Sequence, residues 1–183
     1  SSDVCSSDLT HVDGARIFNA SVATKTPLHR MTRDYDSVSI CLSKGLGAPV
    51  GSVLVGSQDF IDQAHRWRKM FGGGMRQSGI LAAAGIYALE NNVERMEDDH
   101  RRARTIAQAI DEMNHVSVDL DAVQTNMVYF SASKYSANDV SQKMSEAGID
   151  MFDISPTHCR IVTHLHITDE DVNKVIEVLS NLN

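Results

Sequence analysis

The sequence has no long apolar run, no cysteine framework and no excess of positive charge. No apolar run approaches the roughly 18 to 20 residues that cross a bilayer, so we expect no transmembrane segment and no membrane partner. The three cysteines, Cys5, Cys41 and Cys159, are odd in number and far apart, and they predict neither disulfides nor a paired zinc site. The formal net charge of −7 disfavours nucleic acid as a partner. Because no disulfides are predicted, a reducing cytoplasm is the simplest compartment.

What the chain does contain suits a globular protein. Its 183 residues are 42% hydrophobic and 22% charged, which allows a sizeable core. Residues 1–9, SSDVCSSDL, stand apart because they nearly repeat Ser-Ser-Asp and carry little core-forming pattern. They run directly into HVDGARIFNA, which is typical of the interior of a folded domain. We expect residues 1–9 to be a non-native leader and the chain to be a truncated piece of a longer protein.

One lysine follows a strand pattern and precedes a glycine-rich turn. Residues 36–43 alternate between apolar and small polar side chains, which predicts a strand with Lys44 at its carboxyl end. Three of the next seven residues are glycine, and Pro49 prevents a continuous helix or central strand across the turn. Residues 53–55 then predict a second short strand.

The remaining pattern alternates helices with short strands. Helices are predicted over 58–70, 76–90, 92–113, 137–147 and 168–182, and strands near 116–120, 126–131, 149–153 and 159–164. The last helix opens with Thr168-Asp169-Glu170-Asp171, which predicts a capped amino-terminus. The composition changes within the long third helix. We therefore predict an α/β fold with a boundary near residue 110, so that residues 10–110 belong to one larger domain and residues 111–183 form a small α/β domain.

Lys44 has several chemical interpretations. A phosphate-binding Walker loop places its lysine after the glycines, whereas Lys44 precedes them. A dinucleotide-binding loop is followed by a helix, whereas residues 53–55 predict a strand. A third use is covalent, because a lysine amine condenses with an aldehyde such as pyridoxal phosphate to form a Schiff base. A solvated loop lysine without a chemical role is the alternative.

Pyridoxal phosphate also requires an ionised acid beside its pyridine nitrogen, so that the protonated ring can accept electrons. Asp13, within HVDGARIFNA, is the candidate, and a simple turn aspartate before Gly14 is the alternative. If a helix begins at Gly14, Arg16 lies three residues beyond Asp13, on the same side of that helix.

Three histidines near the carboxyl terminus share the parity of one strand face. A single strand would place His158, His164 and His166 together, which is one way to build a metal site. No carboxylate or thiol falls between them on that face, so we predict no metal site.

Four separated blocks of the sequence carry a family resemblance. They are HVDGARIFNA, SVSICLSKGLGAPVGSVLVG, RWRKMFGGGMRQSGILAAAGIYAL and RIVTHLHIT, in that order. Together they resemble the low-specificity threonine aldolases, in the fold type I group of pyridoxal phosphate enzymes that also includes aromatic amino acid β-eliminating lyases. The resemblance runs from about residue 10 to the end. It implies the carboxyl-terminal part of an aspartate aminotransferase-like large domain, followed by a small α/β domain.

The resemblance also implies roles for five residues. Lys44 forms the covalent link to pyridoxal 5′-phosphate, and Asp13 pairs with the pyridinium nitrogen. Arg16 lies near the cofactor's ring oxygen and the substrate carboxylate, so it contacts both. Arg160 binds the substrate's α-carboxylate, for which a guanidinium fork is geometrically suited. Arg76 reaches a cofactor phosphate, in the same subunit or across a subunit boundary.

The implied activity is a carbon–carbon lyase that cleaves threonine or allo-threonine to glycine and an aldehyde, in a homo-oligomeric parent protein, dimer or tetramer. The alternatives are a β-eliminating lyase acting on an aromatic amino acid and a non-catalytic oligomerisation module that retains the scaffold. In the family, the amino-terminal half supplies a phosphate-cradling loop and a histidine stacked on the pyridine ring. Neither has a counterpart here, so we expect this chain alone to bind cofactor poorly and to show little activity.

Overall fold

The computed structural model describes residues 9–182, and its contacts divide the chain between Val93 and Glu94 into an amino-terminal and a carboxyl-terminal unit. Residues 1–8 of the expected leader lie outside the described residues. Thr10, by contrast, belongs to the fold, because its backbone N–H and its hydroxyl both donate to Asp36 Oδ2 at 2.8 Å.

The amino-terminal unit builds a three-stranded sheet. Its elements are β1 (His11–Gly14), α1 (Ile17–Thr24), α2 (Leu28–Thr32), β2 (Ser37–Cys41), β3 (Ser52–Gly56), α3 (Gln58–Met70) and α4 (Gly79–Asn91). The strand order is β1-β2-β3, with β1 parallel and β3 antiparallel to β2. The parallel pair is joined by α1 and α2, which supply the crossover that parallel strands need. The predicted strand pair and the helix over 58–70 are confirmed.

Much of the apolar surface of this unit is exposed. Strand β3 and helix α3 bury no residue, and α4 buries only Gly85 and Ala88. The large apolar side chains on and between these helices that are more than half exposed are Trp67, Met70, Phe71, Met75, Ile80, Ile86 and Tyr87. The rings of Trp67 and Phe71 stack with their centroids 5.8 Å apart. An ordinary protein surface carries single, scattered apolar residues, whereas these neighbouring elements expose many.

The carboxyl-terminal unit has a four-stranded antiparallel sheet. Its elements are α5 (Met96–Asp111), β4 (Val116–Val118), a 3-10 turn (Leu120–Ala122), β5 (Met127–Ala132), α6 (Ala137–Glu146), β6 (Phe152–Asp153), β7 (His158–Val162) and α7 (Asp169–Ser180). The strand order is β4-β5-β7-β6. Fully buried side chains from the helices and strands, among them Ile106, Phe130, Met144 and Leu179, form one core.

Helix α5 joins the carboxyl-terminal unit, so the division of contacts falls earlier than the boundary expected near residue 110. Helix α5 belongs to this unit because its buried residues are part of the core under the four-stranded sheet. They are Ala103, Ile106, Ala107 and Ile110. An amphipathic pattern predicts that a helix packs, but it does not identify the sheet on which it packs.

The histidines near the carboxyl terminus do not share a strand. Strand β7 ends at Val162, so only His158 lies on it. The rings of His164 and His166 meet edge to face, with centroids 5.7 Å apart. Residues 9–182 contain no group of three or more His, Cys, Asp or Glu side chains placed to hold a metal ion. In the same range, no helix is long and apolar enough to cross a membrane.

Helix α7 begins with a capping box, as its Thr-Asp-Glu-Asp start predicts. The Thr168 hydroxyl accepts from the Asp171 N–H at 3.2 Å, and the Asp171 carboxylate accepts from the Thr168 N–H at 2.8 Å. These bonds satisfy backbone donors that the first turn of a helix leaves unpaired.

Replacing Thr168 by Ala should therefore destabilise the carboxyl-terminal unit by about 1 kcal/mol, because an amino-terminal cap is lost. Urea unfolding, with hydrogen exchange of the α7 amides as a local readout, measures the effect. Thr168→Ser keeps the hydroxyl and is the control, which should stay close to the original stability. Unchanged exchange in Thr168→Ala would show that the box contributes nothing.

Candidate active site

The parallel pairing of β1 and β2 brings the two central candidates to one edge of a sheet. Asp13 is paired with Ser39 near the end of β1, and Lys44 comes three residues after the last residue of β2. Because parallel strands run in the same direction, their carboxyl ends lie at the same edge. An acid and an amine are thus placed at the kind of edge where α/β sheets bind ligands.

Asp13 is exposed, and one of its oxygens is already engaged. The Ala15 N–H donates to Asp13 Oδ1 at 3.1 Å, which is an Asx turn that closes the end of β1. The next residue, Gly14, lies so close to β2 that a Cβ there would stand 2.6 Å from the Ser39 carbonyl oxygen. The Asx turn and the close approach of Gly14 to β2 therefore fix the end of β1. The second oxygen of Asp13 remains available for another partner.

Arg16 does not share a helical face with Asp13, so that expectation is wrong. Helix α1 begins at Ile17, and Arg16 is its amino-terminal cap, with φ −132° and ψ 32°. The turn formed by Asp13 and Ala15 delays the helix by three residues relative to a start at Gly14. Arg16 nevertheless follows Asp13 closely at the same edge. Its Nε is buried without a hydrogen-bond partner among the described residues, and such a donor suits an anionic ligand.

The loop that carries Lys44 is held by its own backbone. Gly47 N–H donates to the Lys44 carbonyl at 2.9 Å, and Ala48 N–H donates to the Leu42 carbonyl at 3.0 Å. At the carboxyl-terminal cap of α4, the Asn92 side chain donates to the Leu46 carbonyl at 2.7 Å. Gly47 has φ +72°, a left-handed conformation that favours glycine. The Lys44 side chain is exposed on this ordered loop.

Small side chains cover the face of β2 that Asp13 shares. Paired residues point to the same side of a sheet, so Asp13 and Ser39 share a face with Ser37 and Cys41. The opposite face is apolar and includes Val38 and Ile40. A row of serine and cysteine leaves more room beside Asp13 than branched side chains would.

Cys41 belongs to the same edge. Its partial burial alone would raise the pKa of the thiol, but hydrogen bonds from Ser43 and Ser52 and the positive charge of Lys44 hold that pKa below its ordinary value. Cys159, in contrast, is fully buried, and burial with the nearby Asp153 carboxylate raises its pKa to about 11. The two thiols are thus chemically distinct.

Two of the predicted arginines belong to other elements. Arg76 is exposed in the segment that joins α3 to α4, after the three glycines at 72–74. Arg160 belongs to the other unit, in the middle of β7, where it is paired with Tyr129 of β5 and with Phe152 of β6. Its Nε is buried without a hydrogen-bond partner in the described part of the chain.

A buried polar cluster anchors the end of β7, and sequence reasoning missed most of it. The Thr163 hydroxyl donates to the Asp99 carbonyl at 2.7 Å, and the Asn126 amide donates to the Thr163 carbonyl at 2.8 Å. Asp99 also forms an ion pair with Arg95 and is itself fully buried. The sequence signal for this cluster was Asp99, an acid that lies in the buried stripe of α5 one helical turn before Ala103.

The architecture matches solved structures at the level of fold. A threonine aldolase from Leishmania major aligns with a TM-score of 0.76 and 18% identity, over 94% of this chain and 51% of that one. The expected α/β fold of the fold type I group is therefore confirmed.

Sequence relatives point in the same direction. A low specificity L-threonine aldolase of Escherichia coli K12 is 49% identical over 165 residues, which is 90% of this chain and 48% of the relative. A probable low-specificity L-threonine aldolase of Arabidopsis thaliana is 45% identical over 175 residues, covering 94% of this chain and 49% of the relative. The chain thus spans about half the length of the curated relatives it matches.

Residues 8–133 match the model of one protein family, whose description is beta-eliminating lyase. This match covers more than half of the chain. The chain belongs to the beta-eliminating lyase family, and the resemblance to threonine aldolases drawn from its four sequence blocks is confirmed.

The contrast between the two thiols predicts selective alkylation. With iodoacetamide at pH 8, Cys41 should react at least about tenfold faster than Cys159, because it is more accessible and has the larger thiolate fraction. Peptide mass mapping over time separates these sites from Cys5. Denaturing the chain is the control and should equalise the rates. Equal rates in the folded chain would contradict the assigned environments.

Proposed function

We propose that the whole protein to which these residues belong is a pyridoxal phosphate-dependent lyase that cleaves threonine or allo-threonine to glycine and an aldehyde. The carrying observation is the shared sheet edge of Asp13 and Lys44 in a chain 45–49% identical to proteins named low-specificity threonine aldolases. The chain supplies about half of such a protein, and we expect it to be weak or inactive alone. It contributes the carboxyl-terminal part of the large domain and the small domain.

The residues at this edge fit pyridoxal phosphate chemically. That cofactor offers an aldehyde, a pyridine nitrogen and anionic oxygens, which call for an amine, a carboxylate and cationic donors. Lys44, Asp13 and Arg16 provide these three groups, and the Nε of Arg16 lacks another partner in the described residues. When bound, the cofactor supplies an electron sink for the pair of electrons released at the substrate's α-carbon.

Lys44 is proposed to hold the cofactor covalently through its amine. The loop hydrogen bonds at Leu42, Lys44 and Leu46 fix the backbone from which that amine extends. A rigid loop supports catalysis, because it keeps the reacting amine close to its target and avoids a reorganisation of the backbone at each turnover.

Asp13 is proposed to keep a proton on the pyridine nitrogen. Its Oδ1 accepts from the Ala15 N–H, so the turn orients the carboxylate. A carboxylate held in this way stabilises a positive charge next to it more effectively than a freely rotating one.

The arginines are proposed to bind anionic groups. Arg16 serves the ring oxygen and the substrate carboxylate, Arg160 grips the α-carboxylate, and Arg76 reaches the cofactor phosphate. A chain with net charge −7 needs such local cations to hold an anionic ligand. A guanidinium binds a carboxylate through two parallel hydrogen bonds, which fixes the orientation of the substrate as well as its position.

A second candidate follows from the family description, beta-eliminating lyase. An enzyme of that kind acting on an aromatic amino acid would use the same lysine and aspartate. The two reactions differ in their products, because aldol cleavage gives glycine and an aldehyde whereas β-elimination releases ammonia. The threonine aldolase relatives at 45–49% identity favour the first.

We also propose a homo-oligomer, dimer or tetramer, and a cytoplasmic location. The exposed apolar side chains of α3, α4 and the segment between them, including Trp67, Phe71 and Ile80, support an interface with another chain or segment. The substrate is a small amino acid.

The role of Lys44 can be tested in a chimeric protein that joins residues 10–183 to the amino-terminal half of the Escherichia coli relative. We expect threonine cleavage by the chimera and little by the 183-residue chain. Lys44→Ala should reduce cleavage to background, since the Lys44 amine is the proposed covalent link to the cofactor. Lys174→Ala, an exposed lysine of the other unit, is the matched control and should leave activity unchanged.

Borohydride reduction with added pyridoxal phosphate gives a readout that does not depend on activity. Peptide mapping should find the label on Lys44 of the chimera. Label spread evenly over all lysines, with cleavage intact in Lys44→Ala, would refute the assignment. Ammonia instead of acetaldehyde as the product would favour the β-eliminating lyase.

The two functions of the Asp13 carboxylate can be separated by substitution. Asp13→Asn keeps an oxygen that accepts from the Ala15 N–H but removes the charge, so turnover should fall strongly while the thermal midpoint stays unchanged. Asp13→Ala should lower both, because the turn is lost as well. Turnover and thermal unfolding of the chimera measure the two effects. A fully active Asp13→Asn variant would exclude the proposed charge on the pyridine nitrogen.

A further inference from the structure

Arg160 lies in a row of three side chains that crosses the exposed face of the four-stranded sheet. Tyr129 of β5 and Phe152 of β6 are its direct partners in the two antiparallel registers. Directly opposed residues of antiparallel strands point to the same face and contact each other. Tyr129 and Phe152 are 42% and 60% exposed, so both rings flank the arginine at the surface.

The two flanking rings differ in how they meet the guanidinium. The central carbon of the Arg160 guanidinium lies 4.9 Å from the centre of the Phe152 ring, within the range of a cation–π interaction. The Tyr129 hydroxyl is directed instead to Met127, with its oxygen 3.7 Å from the sulfur. Phe152 is therefore the aromatic neighbour that holds the charge.

Contact with a ring leaves the hydrogen-bonding edge of a guanidinium available. The attraction acts on the face of the planar group, whereas its N–H donors lie in the plane and point outward. None of the ion pairs in residues 9–182 involves Arg160, although Arg95, Arg101 and Arg102 all have acidic partners. A cation that is oriented by an aromatic ring and not neutralised by an acid is suited to an anion from solution.

We propose that Phe152 is a positioning residue, which orients the Arg160 guanidinium so that its fork binds a carboxylate. The inference rests on the proposed function, in which Arg160 grips the α-carboxylate of the amino acid substrate. It adds a residue on the edge strand β6, which pairs with β7 at the end of the strand order. Recognition of the carboxylate then depends on a side chain that itself makes no contact with the substrate.

The test uses the 183-residue chain and NMR of arginine side chains. In the original chain, the Arg160 side-chain protons should show an upfield ring-current shift, and its Nε–H should be ordered. Phe152→Leu should remove the shift and increase the mobility of Nε–H, whereas Phe152→Trp should retain both signatures. Tyr129→Leu, which removes the other ring of the row, is the matched control and should change them little. Phe152 is exposed, so these variants should fold normally.

Titration with acetate links orientation to carboxylate binding. Acetate should shift the Arg160 Nη–H signals, and its affinity should fall about two- to fivefold in Phe152→Leu, the change expected for loss of an exposed cation–π contact. Phe152→Trp should restore the affinity, and Arg160→Lys should abolish the bidentate response.

The outcomes separate this inference from the function on which it rests. If acetate binds Arg160 equally well in Phe152→Leu, the positioning role is overturned while the carboxylate role of Arg160 stands. If acetate leaves the ordered Arg160 of the original chain unaffected, the carboxylate role is overturned and the inference falls with it. Equal mobility of Arg160 in Phe152→Leu and in the original chain also overturns the inference.

Discussion

The parallel alignment of β1 with β2 is the constraint on which the candidate site depends. Asp13 and Lys44 are far apart in sequence, and only strands that run in the same direction bring the ends that carry them to one edge. An antiparallel pairing would place them at opposite edges. The hydrogen bonds between β1 and β2 therefore do more than stabilise the sheet, because they determine whether Asp13 and Lys44 can bind one ligand.

In the carboxyl-terminal unit, side-chain packing and buried hydrogen bonds fix the strands. Its core of aliphatic side chains and Phe130 fixes the strands, and the polar cluster of Asp99, Asn126 and Thr163 ties the end of β7 to α5 and β5. Buried polar groups are costly unless they are hydrogen-bonded, and once paired they favour one arrangement over similar ones. The position of Arg160 on β7 is thus fixed in part by buried residues at the end of that strand.

Local patterns predicted the elements well and their partners poorly. The alternation at 36–43, the capping sequence at Thr168 and the helical stripe at 58–70 each depend on neighbours in sequence, and each is confirmed. Helix α1 begins at Ile17 and not at Gly14, the start considered from the sequence, because an Asx turn at Asp13 competes with the helix. The assignment of α5 and the pairing of Phe152 with Arg160 depend on tertiary contacts, which periodicity does not encode. The roles of Lys44, Asp13, Arg16, Arg76 and Arg160 remain predictions drawn from the resemblance.

The close approach at Gly14 limits how such a protein can change. A methyl group there would press into the Ser39 carbonyl, and relief would require the two strands to separate. Any side chain at this position would therefore shift the neighbouring carboxylate before it touched a ligand. New selectivity must then arise at other positions, while the acid and its glycine stay together as an inseparable pair.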